Sequence, residues 1–434
     1  MSCFSLFERL SLRLCEPFLK GLTGQLNFTL PDGSIKTYGG KLFANSKLSG
    51  QKNTVRRADI TLTNGGFFSR VVLDGGVGLG ESFVAGEWSS DNLPQVMAIL
   101  LEGLTQASER KLQRVRISRL AGRIWHWMRR NTPQGSQKNI YAHYDLGNSL
   151  FSELLDPTMT YSSAMYRSGA ETLEDAQLEK LREVARKAQI QKDDHVLEIG
   201  TGWGSFAIVA ARDFGARVTT TTISREQYDV AVKRIAAAGL SDRITVLQKD
   251  YRELTGQYDK LVSIEMMEAI GERFLPVFFA QCEKLLKPDG LMVVQVIAML
   301  DGWYDEYRTR VDWIQKYIFP GSHLPSLGKL VSCMTTSTNF VVEKLENIPH
   351  HYARTLATWR SALAAREDKL EQLGYDENFR RMFDYYFAVC EAEFGTRLLN
   401  LYQIVFTQPN NQKLIAQDAV DLGQSANHTS LHVA

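Results

Sequence analysis

A glycine-rich turn in the middle of the chain offers the clearest chemistry. A hydrophobic segment carries Glu198 and leads directly into Gly200, Gly202 and Gly204, after which a helical pattern begins. Glycines at such a turn let a ligand approach the backbone closely and permit positive φ angles. A dinucleotide fingerprint would instead read GxGxxG, with a ribose-binding acid about 20 residues later. This chain has GxGxG and a second predicted strand that ends in threonines, so a nicotinamide dinucleotide is the weaker interpretation.

An acid followed by this glycine turn resembles the cofactor motif of class I S-adenosylmethionine (SAM) methyltransferases. Small residues at a strand–helix turn can also serve packing alone, but a position inside a βαβ unit favours a cofactor. Asp250 follows the third predicted strand, where its carboxylate can accept a hydrogen bond from the adenine amino group; the alternative is a surface turn carboxylate. The motif therefore predicts a SAM site at the carboxyl ends of the strands.

Short β-rich segments and longer helical segments alternate around this turn. The predicted strands cover residues 195–199, 217–222, 244–248, 260–264 and 291–297, and the predicted helices between them cover 203–214, 226–238 and 273–286. Such alternation is typical of a mostly parallel sheet with helices on both faces. We therefore predict an α/β fold, Rossmann-like as in class I methyltransferases, preceded by a small α/β domain.

Four parts are predicted along the chain. Residues 1–108 form a small N-terminal domain for binding lipid or a partner, 109–140 a basic helix and linker, 141–408 the SAM-dependent methyltransferase domain, and 409–434 a polar tail. The second part holds eight cations and no acid between Arg110 and Arg130, with apolar residues at helical spacing. Such a helix can lie on an anionic membrane surface, although spacing alone favours packing on the neighbouring domain.

Composition excludes several classes of protein. The 434 residues include 50 Lys plus Arg and 49 Asp plus Glu, a net charge of +1 that argues against a nucleic-acid partner. No segment approaches the roughly 18 consecutive apolar residues of a membrane span. The five cysteines are scattered, with no CxxC pair, which disfavours a disulfide framework and a zinc site. We expect a cytoplasmic protein that associates peripherally with the inner face of the membrane.

Several motifs, in order along the chain, resemble those of one family. They are Ala142–Asn148, Leu155–Pro157, Tyr161–Ala164, Thr222–Gln227, Asp250–Leu254, Met267–Glu268, Tyr317–Pro320 and Leu401–Phe406. With these motifs the chain resembles the cyclopropane fatty acid synthases, including the mycobacterial mycolic acid cyclopropane synthases, most strongly over 140–406. The resemblance implies a SAM-dependent methyltransferase that acts on cis double bonds of unsaturated phospholipid acyl chains, and it suggests a homodimer.

The resemblance also implies a set of site residues. In that family the alkene attacks the sulfonium methyl of SAM, and a base, commonly a bound bicarbonate, takes a proton before the ring closes. Glu268 matches the active-site glutamate, Tyr352 the tyrosine that holds bicarbonate, and Ile297 a main-chain contact. Cys390 aligns with a cysteine sometimes assigned as active, although a small buried thiol is the commoner role. The implied SAM-binding residues are Tyr161, Ser162, Glu198, Gly200, Gly202, Gly204, Thr222, Gln227, Asp250 and Tyr251.

Three positions depart from the family pattern. Ser163 stands where the family has Cys, Ala269 where it has His, and Gln295 where it has a strand His. Glutamine donates and accepts hydrogen bonds but carries neither proton nor charge, which weakens the expected grip on bicarbonate. We keep Ser163 and Gln295 among the candidate catalytic residues. Two further hypotheses stay open: a methyl- or methylene-branched product from the same acyl chains, or a lipid- and SAM-binding protein without turnover.

Overall fold

The computed structural model describes residues 4–40, 55–109, 147–417 and 420 of the chain. The predicted basic helix between Arg110 and Arg130 lies outside these described residues, as does most of the motif that begins at Ala142. Among the described residues, no helix has the length and apolar character needed to cross a bilayer. The described residues form a small N-terminal unit that packs against a larger α/β unit.

The N-terminal unit combines three helices with a small sheet in the described residues. Its elements are α1 (Leu6–Lys20), β1 (Gln25–Thr29), β2 (Ile35–Gly39), β3 (Arg57–Leu62), α2 (Gly66–Val84), β4 (Trp88–Ser89) and α3 (Leu93–Glu109). The strand order is β2-β1-β3-β4, with β1 and β3 parallel. Strand β3 alternates between exposed residues and the buried Ala58, Ile60 and Leu62, so one face of the sheet forms the core of this unit.

A glycine-rich stretch, Asp74–Gly80, lies inside α2. Gly75 has φ 57° and ψ −129°, so two helical segments meet there at a kink. Further along, a Cβ atom on Gly80 would lie 2.5 Å from the ring of Trp313 in the larger unit. The absence of a side chain at Gly80 therefore lets α2 approach the larger unit closely.

The larger unit is built on a seven-stranded sheet in the order β10-β11-β9-β8-β5-β6-β7. Its strands are β5 (His195–Ile199), β6 (Arg217–Thr222), β7 (Ile244–Gln248), β8 (Tyr258–Ile264), β9 (Leu286–Met299), β10 (Val341–Asn347) and β11 (Leu399–Thr407). Strands β5 to β9 run parallel, and β11 runs antiparallel to both of its neighbours. The predicted α/β fold is confirmed, and the strand order reverses at β5.

Helices cover both faces of this sheet. They are α4 (Asn148–Leu154), α5 (Leu173–Lys187), α6 (Ser205–Phe214), α7 (Arg225–Ala237), α8 (Leu275–Leu285), α9 (Asp301–Tyr307), α10 (Trp313–Tyr317), α11 (Leu327–Ser337), α12 (Pro349–Ala365), α13 (Glu367–Gln372) and α14 (Glu377–Gly395). In β5, Val196 shares a core cluster with Phe206 of α6, and Leu197 shares another with Phe278 of α8. Burial on both faces explains why this strand is hydrophobic throughout.

Helix α14 joins the two units. The Arg381 side chain donates to the carbonyl oxygen of Phe83 across 2.9 Å from Nε and 2.6 Å from Nη2. Nη2 also donates to the carbonyl oxygen of Trp88 across 3.0 Å, and the guanidinium lies over the Phe83 ring. The same helix carries Tyr386, Cys390 and Phe394 toward the interior of the larger unit, so one element contacts both the N-terminal unit and the cavity described below.

Candidate active site

A cavity of about 320 Å³ lies at the carboxyl ends of the parallel strands, where the strand order reverses. Ligands of open α/β sheets bind at such a position. Most of the predicted site residues line this cavity: Tyr161, Ser162, Glu198, Gly200, Gly202, Thr222, Gln227, Asp250, Tyr251, Glu268, Ile297, Tyr352 and Cys390. Three predicted site residues, Gly204, Ser163 and Gln295, are not part of its lining.

The glycine turn after β5 adopts positive φ angles. They are 104° at Gly200, 52° at Gly202 and 90° at Gly204. A Cβ atom on Gly200 would lie 3.2 Å from Met266, whereas the space beside Gly202 is open. A Cβ atom on Gly204 would lie 3.4 Å from Ala231 of α7, away from the cavity. Gly202 therefore leaves room for a ligand, whereas Gly200 permits close packing on Met266 and Gly204 close packing on α7.

Polar side chains at the ends of β5 and β6 surround this turn. Glu198 is buried, and Oγ1 of Thr220 donates to its Oε2 atom across 2.6 Å. Burial raises the pKa of Glu198 to about 8. Oγ1 of Thr222 donates to Oε1 of Gln227 across 2.8 Å, which orients the Gln227 amide at the cavity wall. These side chains form a polar section of the cavity.

The segment after β7 adds a carboxylate and a phenol. Arg252 binds Asp250 through two hydrogen bonds of 2.8 and 2.6 Å. Burial alone would raise the pKa of Asp250, but the hydrogen bonds and charge of Arg252 hold that pKa below its usual value. The Tyr251 hydroxyl is buried and has no hydrogen-bond partner among the described residues. Asp250 therefore faces the cavity as an ionised acceptor, with the ring of Tyr251 beside it.

Tyr161 and Ser162 enter the cavity from the segment between α4 and α5. The hydroxyl oxygens of Tyr161 and Tyr386 lie 3.1 Å apart, and Nζ of Lys180 donates to Oγ of Ser162 across 2.6 Å. Lys180 is completely buried, and this burial lowers its pKa to about 8. Sequence reasoning missed Lys180, because a lysine within a charged helical segment carries no local signal of burial.

Glu268 lies in the turn after β8 and lines the cavity. Its Oε1 atom accepts a hydrogen bond from the Ile297 backbone N–H across 2.5 Å. Its Oε2 atom is buried and has no hydrogen-bond partner among the described residues. Burial raises the pKa of Glu268 to about 8, and the nearby charge of Glu265 adds to the rise. Tyr352 is buried beside these carboxylates, with its ring stacked 4.5 Å from that of Phe394.

Glu265 is the main site residue that sequence reasoning missed. It follows β8 directly and lines the cavity, and its φ of 49° is unusual for a residue other than glycine. Its Oε1 atom accepts hydrogen bonds from the Ser163 backbone N–H across 2.9 Å and from Nε2 of Gln295 across 2.7 Å. The Tyr352 side chain also interacts with this carboxylate and acts to lower its pKa. The available signal was an acid at the carboxyl end of a predicted strand, three residues before Glu268.

Two of the three departures from the family pattern contact Glu265. Ser163 is fully buried and reaches the carboxylate through its backbone, while its hydroxyl donates to the Ala164 carbonyl oxygen. Gln295 is fully buried on β9 and reaches it through its amide. Ser163 and Gln295 therefore position a carboxylate and do not themselves face the cavity. Ala269, the third departure, lines the cavity.

Cys390 lines the cavity from α14. Burial raises the pKa of its thiol well above the usual value. The thiolate is the nucleophilic form of cysteine, so this side chain stays protonated and unreactive near neutral pH. Cys390 therefore contributes packing to the cavity wall.

Comparison with known proteins finds one matching family and several relatives that are similar over most of the chain. The family described as mycolic acid cyclopropane synthetase matches residues 131–404. The tuberculostearic acid methyltransferase UfaA1 of Mycobacterium tuberculosis is 39% identical over 352 residues, which cover 77% of this chain and 79% of the relative. The cyclopropane-fatty-acyl-phospholipid synthase of Escherichia coli K12 is 36% identical over 358 residues, which cover 81% of this chain and 88% of the relative.

Solved structures agree with the sequence comparison. The cyclopropane synthase MmaA2 from Mycobacterium tuberculosis superimposes with a TM-score of 0.59 at 26% identity, covering 63% of this chain and 98% of that chain. The mycolic acid cyclopropane synthase CmaA1, complexed with SAH and CTAB, superimposes with a TM-score of 0.58 at 28% identity over the same shares. The matched range 131–404 includes every residue that lines the cavity. The resemblance seen in the motifs is confirmed, and the chain belongs to the mycolic acid cyclopropane synthetase family.

Proposed function

We propose that this chain is a SAM-dependent methyltransferase that adds a methylene group across cis double bonds of phospholipid acyl chains. The observation that carries the proposal is the continuous cavity, which joins the glycine turn to two glutamates and a largely apolar wall. The apolar wall includes Met299, Ile314, Phe319, Leu324, Leu356, Phe394 and Leu399. The E. coli relative, by its name, makes cyclopropane fatty acyl phospholipids.

The polar section of the cavity fits SAM. Thr222 and Gln227 offer hydroxyl and amide groups for the ribose, and the ionised Asp250 offers an acceptor for the adenine amino group. The open space beside Gly202 leaves room for the amino acid part. When bound, SAM supplies the electrophilic methyl group.

The remaining lining suits chemistry on an alkene. An alkene has no group that an acid or base can activate, so the site has to position it, exclude water and stabilise positive charge. The apolar wall orients the acyl chain and keeps water out. The Glu265 carboxylate and the faces of nearby aromatic rings stabilise a cation on the acyl chain. A proton then has to leave the transferred methyl group as the ring closes.

Expression in a bacterial host that lacks its own cyclopropanation tests this proposal. Gas chromatography–mass spectrometry of the fatty acid esters should show a product one methylene heavier than the unsaturated precursor and resistant to hydrogenation. Glu268→Gln, expressed to the same level, should bind SAM and suppress the product. Unchanged membrane lipids with the native sequence would contradict the proposal and leave only a binding role.

A second candidate is a methyl- or methylene-branched product from the same acyl chains. The observation that favours it is Gln295, which binds Glu265 where the family has a histidine, together with 39% identity to a protein named as a tuberculostearic acid methyltransferase. The ring stays the preferred product because the matched family and both structural relatives are named for cyclopropanation. Hydrogenation distinguishes the two products in the same assay, because it saturates a methylene branch but leaves a cyclopropane ring intact.

We also propose that the enzyme works on the cytoplasmic surface of an anionic membrane. Helix α1 supports this proposal. Leu6, Leu10 and Leu14 follow one another at four-residue spacing and are 85%, 52% and 60% exposed. Arg9 and Arg13 are exposed along the edge of this leucine stripe. An apolar stripe beside cations suits the boundary between headgroups and acyl chains, with each nearby cation worth about 1 kcal/mol on an anionic surface.

Cosedimentation of the full chain with vesicles tests this membrane role. Binding should be strong to vesicles that contain phosphatidylglycerol and weak to phosphatidylcholine alone. A Leu10→Ser, Leu14→Ser double variant should lower the binding several-fold, whereas Ile35→Ser, an exposed apolar residue on β2, should not. Equal binding by both variants would contradict the role of α1.

A homodimer is proposed on the family resemblance alone. Light scattering of the purified chain should then give twice the 49.0 kDa of one copy. The α1 variants should leave that mass unchanged, because the leucine stripe is assigned to lipid. A mass of one copy would contradict the dimer.

A further inference from the structure

We infer that the Glu265 carboxylate itself accepts the proton lost by the transferred methyl group, in the place that the family gives to a bound bicarbonate. The inference rests on the proposed function and names a further catalytic residue for it. Glu265 lines the cavity, and it is held by residues at two of the positions where this chain departs from its family.

The donors around Glu265 are arranged as an anion site. The Ser163 N–H and the Gln295 amide both donate to this one carboxylate, and interaction with the Tyr352 side chain also acts to lower its pKa. A bicarbonate ion in the same place would need these groups, but the protein's own carboxylate already occupies them. A free anion beside Glu265 would also meet the negative charge of that carboxylate, which opposes its binding.

The Gln295 amide is oriented for this purpose. Its Oε1 atom accepts a hydrogen bond from Nε2 of Gln403 across 2.8 Å, so its own Nε2 atom points at Glu265. A histidine at this position would carry a proton and could help to hold a free anion. A neutral amide that presents its donor end to Glu265 suits a carboxylate that is fixed to the protein.

The charges around Glu265 and its backbone conformation are consistent with a role as a base. Burial raises the pKa of Glu265, although Lys180 and the hydrogen-bond donors oppose the rise, and a raised pKa makes the carboxylate a stronger base near neutral pH. Its positive φ of 49° is uncommon for a residue other than glycine. The Glu265 backbone N–H donates to the Gln295 carbonyl oxygen across 2.7 Å, which holds this conformation.

The proton transfer balances without an external anion. A C–H bond of the transferred methyl group breaks, its electron pair forms the new C–C bond of the ring, and the proton binds a Glu265 oxygen. A cation and a carboxylate thus become a neutral ring and a carboxylic acid. After product release, the acid returns its proton to water.

The purified full chain, assayed on vesicles of unsaturated phospholipid with SAM, tests the inference. Removal of bicarbonate from the buffer should leave the native rate unchanged. Glu265→Gln should lower product formation by about 100-fold or more while SAM affinity, measured by calorimetry, is retained. Glu265→Gly suits the positive φ and opens the anion site, so added bicarbonate should restore part of its activity in a saturable manner.

The control is Glu391→Gln on α14, a half-buried carboxyl outside the cavity lining, which should keep the native rate. A native rate that falls when bicarbonate is removed would overturn the inference and leave the proposed function intact. A Glu265→Gln variant with native activity, or a Glu265→Gly variant that ignores bicarbonate, would also overturn it. A native chain that makes no methylated lipid under any condition would instead refute the proposed function.

Discussion

Nε2 of Gln403 donates to Oε1 of Gln295 across 2.8 Å, between residues that face each other on the paired strands β9 and β11. Both side chains are buried. Because this bond occupies the acceptor end of the Gln295 amide, the donor end meets Glu265. Gln403, which lies outside the cavity, therefore fixes the orientation of Gln295, and Gln295 holds the Glu265 carboxylate at the cavity wall.

Replacement of Gln403 by Leu should lower kcat by up to about 10-fold, since a hydrogen bond between neutral groups contributes about 0.5–1.5 kcal/mol. SAM affinity should be unchanged, because Gln403 does not line the cavity. Product formation measured by gas chromatography and SAM binding measured by calorimetry would separate the two effects. Gln412→Leu, at an exposed position, is the control. A Gln403→Leu variant with native kcat would show that the orientation of Gln295 is not required.

The pKa of Glu268 predicts a pH-dependent stability. In the folded protein this pKa is raised to about 8, against an ordinary value of 4.5. Between these values the folded state binds a proton that the unfolded state has released, so the free energy of unfolding falls as pH rises. The Gln side chain of Glu268→Gln is neutral at every pH. The melting temperature of this variant minus that of the native protein should therefore increase as pH rises across this window. A difference that stays constant from about pH 5 to pH 8 would contradict the raised pKa.

Gly202 and Gly239 form a matched pair. Both have positive φ, 52° and 67°, and both have open space where a Cβ atom would be placed, but only Gly202 lines the cavity. Alanine at either position should lower the free energy of unfolding by about 1–2 kcal/mol through backbone strain. Gly202→Ala alone should weaken SAM binding, because its methyl group enters the space left for the ligand. Equal SAM affinity in the two variants, measured by calorimetry, would place the cofactor elsewhere.

Gly80 and Gly76 test the contact between the two units. A Cβ atom on Gly80 would lie 2.5 Å from Trp313 and 2.7 Å from Tyr385, whereas one on Gly76 would meet nothing within 4 Å. Gly80→Ala should therefore lower the free energy of unfolding by about 1–3 kcal/mol through overpacking. Gly76→Ala should be neutral or slightly stabilising. Chemical denaturation would show the difference, and equal stabilities would indicate that Trp313 moves aside without cost.

Much of the larger unit could be predicted because its signals are local. The strands are short apolar segments between helical ones, and the glycine turn places positive φ angles where the backbone must leave room. The predicted site residues gather because the carboxyl ends of parallel strands meet at one edge. The role of Glu265 could not be predicted in the same way. Its partners Ser163, Gln295 and Tyr352 lie far apart in the chain, and no local pattern marks its backbone conformation.

The N-terminal unit shows a second limit of sequence reasoning. Glycine is disfavoured in helix interiors, yet the glycine-rich stretch Asp74–Gly80 forms part of α2, with a kink at Gly75 and close packing of Gly80 on Trp313. A tertiary contact of this kind overrides local preference. The membrane role assigned to the cations between Arg110 and Arg130 stays a prediction, since that segment lies outside the described residues.

Helix α14 has 19 residues and contacts the N-terminal unit through Arg381 and the cavity through Tyr386 and Cys390. An acyl chain that displaces this helix must also strain the bonds of Arg381 to the N-terminal unit. If occupancy of the cavity moves α14, the packing of the N-terminal unit must change with it, and any coupling free energy between the two acts equally in both directions. A shift of the N-terminal unit that moved α14 would then change the affinity of the cavity for its substrate without any contact with the cavity itself.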